Sequence, residues 1–374
     1  MTYSKLFGVY FSETVGSSSP STIARSYHPC FIIQTSTAIA SIDDTLTMFT
    51  SIQAFKTVAE NKGLAKTIEF IEAIMNDYQS ETFYVFSVKT DTAAAFTAMI
   101  KGTANKEDIK EFILVEETAS ANSNTLNSKI AAIVTGLNDN YEKGVFRTCD
   151  VIPYGTVKAA VDGMAEGARA EAVAITAMTG ALTGISSGRI SLMCPDSAYV
   201  GLMTGRILST EYNREAGYTV LNITDPLDFD FTYDEMLTLQ NAGICFVKQE
   251  LVQGTPQYRI HAGLTAGFAS DTADGFIKAR KTCDEVLRQV KEACNMYYKN
   301  EDVDVSKTEL QTECNTIVDE FITEGDIKKT LKIGTTTYTS ALTVTVEGRL
   351  GIGITGTLIP SGSSMVINVN TTIQ

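Results

Sequence analysis

The sequence has no tryptophan and only two histidines, His28 and His261, so few residues are available for imidazole chemistry. Its seven cysteines are odd in number and include no C-x-x-C pair, which argues against a disulfide framework and favours a reducing compartment. The absence of any Gly-Lys dipeptide excludes a Walker A phosphate-binding loop. No H-E-x-x-H motif occurs, and two histidines with scattered thiols make no metal site. We therefore expect no catalytic residue, no metal and no cofactor.

Positive charge and long hydrophobic runs are also scarce. Lysine and arginine number 30 against 44 acidic residues, and the formal net charge of −14 argues against binding to nucleic acid or anionic lipid. The N-terminus has no apolar core of the kind that a signal peptide needs. The longest uncharged interior stretch, residues 172–188, contains three glycines and five Ser/Thr residues and is too polar for a membrane helix. We expect no direct nucleic-acid or membrane partner, and a protein made and kept in a cytoplasm.

Short apolar runs alternate with helical patterns through the first two thirds of the chain. At about 150 residues per domain, the 374 residues suggest two or three domains. The apolar runs predict strands buried on both faces, at residues 30–34, 82–88, 112–115 and 145–152. The stretches between them have apolar residues at helical spacing. This order predicts an α/β fold, α+β mixed in detail, in which helices cover a mixed sheet.

The two ends of the chain have a different character. Near the N-terminus, Val9 and Phe11 recur at strand spacing, and a Gly/Ser stretch ending at Pro20 follows. The last third predicts a long helix over 272–298, a second helix over 309–322 and then alternating strands. A terminal strand on a flexible tether is either a frayed end or an arm that pairs with another chain.

One motif matches a hydrolase nucleophile elbow. Gly184–Gly188 fits G-x-S-x-G, with Ser186 at the nucleophile position. The elbow needs a strand before the serine and a helix after it, whereas here the helical pattern comes first. The general base would have to be His28 or His261. A serine hydrolase using Ser186 is therefore the alternative from a different class of protein, and a loop of small residues is the structural interpretation.

A second motif matches a dinucleotide fingerprint. Gly351–Gly356 fits G-x-G-x-x-G, but no helix follows it and no acidic residue remains downstream. We interpret these glycines as strand residues that another backbone approaches closely.

The predicted helix over 272–298 carries a cluster of cations. They are Lys278, Arg280, Lys281, Arg288 and Lys291. Such a face is usually solvated, yet in an acidic chain it could also dock on an acidic partner or on the acidic segment 301–326 of a neighbouring copy.

Several segments, taken in chain order, resemble one protein family. They are Phe7–Glu13 (FGVYFSE), Cys30–Ser36 (CFIIQTS), Phe49–Phe55 (FTSIQAF), Ala65–Val88, Met193–Leu202 (MCPDSAYVGL), Phe231–Ile244 and Arg259–Thr265 (RIHAGLT). In this order they resemble the contractile tail sheath family of myophages and related contractile injection systems. The segment Met193–Leu202 is the strongest local match, and His261 stands where the family usually has tryptophan.

The resemblance implies a structural subunit and not an enzyme. Family sheaths link subunits by extending N- and C-terminal arms into a neighbour's sheet, where main-chain hydrogen bonds provide affinity. The implied arm residues are Phe7, Val9, Tyr10, Phe11, Met365, Ile367 and Val369. Subunits would assemble helically around a tail tube and, on contraction, drive the tube through the target cell envelope. The implied partners are other copies of the chain, the tail tube protein, and the baseplate and tail terminator proteins.

The resemblance also implies a location and a division of the chain. The location is a bacteriophage virion tail, assembled in the host cytoplasm and used for genome ejection. The division is an N-terminal extended arm over 1–20, an α/β sheath core over 21–115 and 189–262, an outward-facing inserted region over 116–188, and a C-terminal sheath domain with a terminal strand arm over 263–374. Because the family's C-terminal helical region faces the tube, the five cations become candidates for tube or lattice contacts.

Two alternatives to a phage sheath remain beside the hydrolase. One is the sheath of a cellular contractile injection system. The other is a simple soluble oligomeric binding protein, which would form a closed, finite particle instead of a tube.

Overall fold

The computed structural model describes residues 2–6, 9–13, 27–34, 39, 42–78, 80–88, 92–117, 123–223, 225–270, 275–297, 303–346, 351–361 and 366–373. Up to residue 260 the elements are β1 (Thr2–Leu6), β2 (Val9–Glu13), β3 (His28–Gln34), β4 (Leu46–Phe49), α1 (Ile52–Ala59), α2 (Ala65–Tyr78), β5 (Phe83–Val88), α3 (Ala93–Gly102), β6 (Ile109–Val115), α4 (Ser123–Glu142), β7 (Thr148–Ile152), α5 (Tyr154–Asp162), α6 (Ala170–Ala181), β8 (Ile190–Met193), α7 (Val200–Ser209), β9 (Val220–Leu221), α8 (Tyr233–Asn241), β10 (Ile244–Cys245), β11 (Val247–Val252) and β12 (Thr255–Ile260). After it come α9 (Ile277–Tyr297), α10 (Val303–Glu324), β13 (Thr330–Ile333), β14 (Thr336–Thr339), β15 (Ala341–Val346), β16 (Ile352–Leu358) and β17 (Ile367–Ile373).

A seven-stranded sheet forms the centre of the molecule, in the order β10-β8-β7-β6-β3-β5-β4. Its neighbours are parallel except for β4, which runs antiparallel to β5 at one edge. The predicted α/β fold with a mixed sheet is thereby confirmed. The predicted buried strands are β3, β5, β6 and β7.

Helices cover both faces of this sheet because the side chains of each strand alternate between two apolar cores. Along β3, Cys30 and Ile32 enter the core under α3, α4 and α6. Phe31 and Ile33 enter the opposite core, which α1, α2 and α7 cover. All four side chains are fully buried.

The segment 116–188, predicted to be an inserted region, contributes elements to the central sheet. It supplies β7, which pairs with β6 on one side and β8 on the other, and also α4 and α6 over one face. The division of the chain into domains stays a prediction. The outward orientation of any part of it in an assembly stays a prediction.

A third core lies in the C-terminal part, between α9, α10 and a three-stranded antiparallel sheet in the order β15-β16-β17. The two helices and the alternating strands follow the sequence prediction. The motif at 351–356 lies on β16, as interpreted. A Cβ atom on Gly356 would lie 2.1 Å from the Ala341 carbonyl oxygen, so close approach of the β15 backbone accounts for this glycine.

The seven cysteines are all buried and none forms a disulfide. Burial raises the pKa of the Cys30, Cys194 and Cys245 thiols, which keeps them protonated and unreactive. The neighbouring Cys314 of α10, together with burial, raises the pKa of the Cys294 thiol on α9.

Candidate functional site

The N-terminal strands form a sheet of their own. Strands β1 and β2 pair antiparallel from Thr2↔Glu13 to Leu6↔Val9. The predicted arm residues Val9, Tyr10 and Phe11 lie on β2, while Phe7 lies outside the described residues. The predicted terminal strand is therefore present, as half of a hairpin.

The C-terminal strand β17 completes the chain's own sheet. It pairs with β16 along its whole length, from Ile367↔Leu358 to Ile373↔Ile352. The predicted arm residues Ile367 and Val369 are buried in the third core, and Met365 lies outside the described residues. In a single chain these two side chains are thus core residues, and a contact with a neighbouring subunit stays a prediction.

Helix α9 lies across the amino-terminal ends of β6, β7 and β8, where the C-terminal part meets the central sheet. Its charged side chains meet charged and carbonyl groups that immediately precede or begin these strands. We call this contact the α9 junction. Four of the five cations predicted to dock on a partner form ion pairs at this junction.

The most deeply buried part of the α9 junction is a triad of two arginines and one aspartate. The Asp284 carboxylate accepts hydrogen bonds from Arg189 at 3.2 Å to each oxygen and from Arg280 at 2.7 Å. The exposed fractions of the three side chains are 6% for Arg189, 5% for Arg280 and 1% for Asp284. The Tyr141 ring centre lies 4.3 Å from the Arg189 guanidinium carbon, a cation–π distance. Burial alone would raise the pKa of Asp284, but the two guanidiniums outweigh it and hold that pKa below its usual range.

Beside the triad, Lys281 bridges two elements of the central domain. Its ammonium group lies 3.1 Å from a Glu111 carboxylate oxygen on β6 and donates a 2.7 Å hydrogen bond to the Ile207 carbonyl on α7. Asp150, on β7, is buried next to this pair. Burial, with a contribution from Glu111, raises the pKa of Asp150 to about 8, although Lys281 and a hydrogen bond from Ser191 oppose the rise.

The outer end of the α9 junction holds two more of the predicted cations. Arg288 lies 3.2 Å from Glu285 and donates a 2.8 Å hydrogen bond to the Phe146 carbonyl. Lys291 lies 3.1 Å from Glu107.

These contacts change the interpretation of the basic helix. Lys281, Arg288 and Lys291 connect α9 to the central sheet and its flanking segments. Arg280 pairs with Asp284 on α9 itself, and Lys278 is half-exposed. Sequence reasoning missed Arg189, Tyr141 and Asp284 because their partners are far away along the chain. The spacing of Arg280 and Asp284, one helical turn apart, was the available signal.

Several side chains of the chain itself form hydrogen bonds at the crevice where this class of sheet binds ligands. Strands β3 and β6 are neighbours in the order β5-β3-β6-β7, and the chain proceeds from them in opposite directions across the sheet. Doubly wound folds bind ligands at such a point, beyond the carboxyl ends of the two strands. Here Lys129 donates a 2.6 Å hydrogen bond to the side chain of Gln34, at the end of β3. Beyond β6, Glu116 accepts hydrogen bonds from Thr156, and Glu117 accepts from the first backbone N–H groups of α2. The described polar side chains at this edge of the sheet are thus bonded to groups of the chain itself.

The serine hydrolase alternative finds no support in the geometry. Ser186 follows α6 and precedes β8, so the elbow order is reversed, as the sequence predicted. Ser186 lines a cleft of about 320 Å³, whose described lining includes Arg189 and Arg280 but no histidine. His261 instead stacks on Phe246, with ring centres 4.6 Å apart.

Clusters of metal ligands and membrane-spanning helices are both missing from the described residues. They contain no group of three or more His, Cys, Asp or Glu side chains that could hold a metal ion. No helix within the described ranges is both long enough and apolar enough to span a membrane.

Comparisons with known proteins point to one class. No protein-family model and no curated protein sequence matches the chain. A sheath tail protein from Listeria innocua matches with a TM-score of 0.61 and 8% identity, over 93% of this chain and 96% of that one. A sheath tail protein from Desulfitobacterium hafniense matches with a TM-score of 0.59 and 10% identity, over 96% and 100% of the two chains.

An assembled system matches as well. The contracted sheath complex of an extracellular contractile injection system, PVC, matches with a TM-score of 0.56 and 13% identity, over 100% of this chain and 96% of that one. The chain therefore has the fold of contractile sheath proteins over nearly its whole length. These neighbours are structural proteins and not enzymes.

Proposed function

We propose that this chain is the structural subunit of a contractile sheath, which assembles helically around a tail tube and drives it through a target cell envelope on contraction. The observation that carries the proposal is the agreement with sheath folds along nearly the entire chain, including both terminal regions.

Strand exchange between copies is the proposed means of assembly. A second copy's β17 fits the place that β17 occupies on β16, because identical chains offer identical edges. The N-terminal hairpin is tethered by the chain between Glu13 and His28, which spans at most about 50 Å when extended. Such a tether allows β2 to reach another copy's sheet.

Contraction is proposed to release energy stored during assembly. Two packings of the same subunits differ in free energy, and a trigger converts one into the other. This mechanism needs no nucleotide. The proposed partners are other copies of the chain, a tail tube protein, and baseplate and tail terminator proteins.

The machine that the sheath serves is either a phage tail or a cellular injection system. In the first case the protein belongs to a virion tail assembled in a host cytoplasm, and contraction leads to genome ejection. The similarity to sheaths named as contractile injection systems supports the second case equally.

Negative-stain electron microscopy of the purified chain, mixed with its tail tube protein, tests the proposal. We expect long hollow tubes of uniform width. A Val369→Pro variant should abolish them, because proline removes a backbone donor from the middle of β17. The control, Asn370→Ala, changes an exposed side chain of the same strand. Monomers or small closed rings in the presence of the tube would contradict the proposal.

A further inference from the structure

A glutamine side chain on α10 occupies the outer edge of β15. The Gln311 side-chain amide donates a 2.9 Å hydrogen bond to the Leu342 carbonyl and accepts one of 2.9 Å from the Val344 backbone N–H. Its nitrogen also donates to the side chain of Asn315, one turn further along α10. The Gln311 side chain is therefore bound both by the backbone of β15 and by a side chain of its own helix.

These two backbone groups are among those that a further strand would use. In an antiparallel pair, alternate residues direct both backbone groups away from the partner strand, and here Leu342 and Val344 direct theirs away from β16. An open edge of this kind is a template for pairing with another chain. Gln311 supplies one donor and one acceptor at the positions where an incoming strand would supply them. Helix α10 lies alongside the same strand.

The opposite side of the sheet is built differently. There the outermost strand is β17, which pairs along the edge of β16. Because β17 is at the edge of the sheet, the same strand of another copy can take its place without moving β15 or β16. Gln311 and α10, by contrast, are fixed parts of the domain.

We infer that the C-terminal sheet accepts strands from other copies of this chain on one side only. The β15 edge is closed by Gln311, and the strand that enters beyond β16 is β17 of a second copy. The inference rests on the proposed strand exchange and adds its direction. One-sided growth prevents two copies from joining through their β15 edges, which would form contacts outside the sheath lattice.

Disulfide trapping between copies tests the direction. Thr355 on β16 and Asn370 on β17 are directly opposite each other and exposed, and Thr343 is exposed on β15. Full-length chains carrying Thr355→Cys are mixed with chains carrying Asn370→Cys, assembled on tubes and oxidised with a low-molecular-weight disulfide. In parallel, Thr343→Cys chains are mixed with chains carrying Asn368→Cys, Asn370→Cys or Ser12→Cys. Cross-linked dimers are read on non-reducing gels.

The two mixtures distinguish a failure of the one-sided inference from a failure of the proposed strand exchange. We expect dimers through residues 355 and 370 and none through residue 343. Dimers through residue 343 at a similar yield would overturn the inference and leave strand exchange standing. No dimers in either mixture would overturn both.

Hydrogen exchange of the wild-type and variant monomers tests the role of Gln311 itself. Gln311→Leu removes both hydrogen bonds at similar side-chain volume. We expect the Val344 amide to exchange roughly 10- to 30-fold faster than in the wild type. Thr316→Ala is the control, because the Thr316 hydroxyl bonds only within α10, to the Thr312 carbonyl. An unchanged exchange rate at Val344 in the leucine variant would show that Gln311 does not close the edge.

Discussion

At the scale of single residues, the free energy of the α9 junction depends on the buried triad of Arg189, Arg280 and Asp284. Removing charges from water is costly, and the cost is recovered only where geometry and hydrogen bonding are good. The triad meets this condition, since both carboxylate oxygens accept from guanidinium groups and an aromatic ring covers Arg189. Loss of the carboxylate would leave two buried cations facing each other.

The variant Asp284→Asn is therefore expected to lower the free energy of unfolding by about 3–5 kcal/mol. Urea denaturation of the monomer, followed by circular dichroism, measures this change. The matched control is Asp162→Asn, which breaks an exposed pair with Lys158 and should cost less than about 1 kcal/mol. Equal losses in the two variants would contradict the importance of the buried triad.

Because of Asp150, we expect the stability of the folded chain to fall as the pH rises, whereas a salt-bridged carboxylate makes stability rise with pH. Its folded pKa is raised to about 8, whereas the unfolded value is near 3.9. Between these values the folded chain keeps a proton that the unfolded chain has released, so rising pH destabilises the folded state by up to about 1.4 kcal/mol per unit. Asp150→Asn removes this contribution.

The stability of Asp150→Asn relative to the wild type should therefore rise between pH 5 and pH 8. Urea titrations at several pH values measure the difference. Val151→Ala, a non-titrating change on the same strand, should show a constant loss across this range. A pH-independent difference for the asparagine variant would refute the role assigned to Asp150.

At the scale of elements, the basic face of α9 makes contacts within the chain, and its docking on a partner stays a prediction. Two of its cations reach a carboxylate of β6 and carbonyls of α7 and of the segment before β7. Charge reversal at these positions is therefore expected to affect folding as well as assembly. Only Lys278 offers a test of tube or lattice contact that leaves the α9 junction intact.

We expect Lys281→Glu to lower the melting temperature of the monomer, because it places a second acid beside Glu111 and buried Asp150. Lys278→Glu should leave the melting temperature within experimental error and weaken assembly on the tube. Differential scanning calorimetry and a tube co-sedimentation assay measure the two effects. Normal sheathing by the Lys278 variant would remove the tube or lattice contact proposed for that residue.

The sequence predicted the position of an element correctly where burial on both faces requires every side chain to be apolar. The uninterrupted apolar run at Cys30–Ile33 predicted β3, because a strand covered on both faces has no polar side. The α9 junction could not be predicted in this way. Lys281 and Glu111 are partners across a long stretch of chain, and only the folded sheet brings the start of β6 to α9. Gln311 was missed for the same reason, since nothing local links it to β15.

At the scale of the whole molecule, the two ends of the chain differ in what they contribute to the fold. Strand β17 supplies Ile367, Val369 and Ile373 to the third core, so the chain cannot lose it without exposing apolar surface. Strands β1 and β2 pair with each other in a separate two-stranded sheet. The proposed sheath uses both ends, and the C-terminal strand also supplies side chains to a core of its own chain.

Deleting residues 1–19 should therefore leave a folded monomer that does not form a lattice. We expect its melting temperature to change by less than about 3 °C, because every core side chain that the structure describes lies outside the deleted segment. Deleting residues 366–374 is the contrasting variant and should lower the melting temperature strongly. Calorimetry measures stability, and analytical ultracentrifugation with electron microscopy measures assembly on the tube. Normal tubes from the chain that lacks residues 1–19 would show that the N-terminal strands do not link subunits, and the connection would then depend on β17 alone.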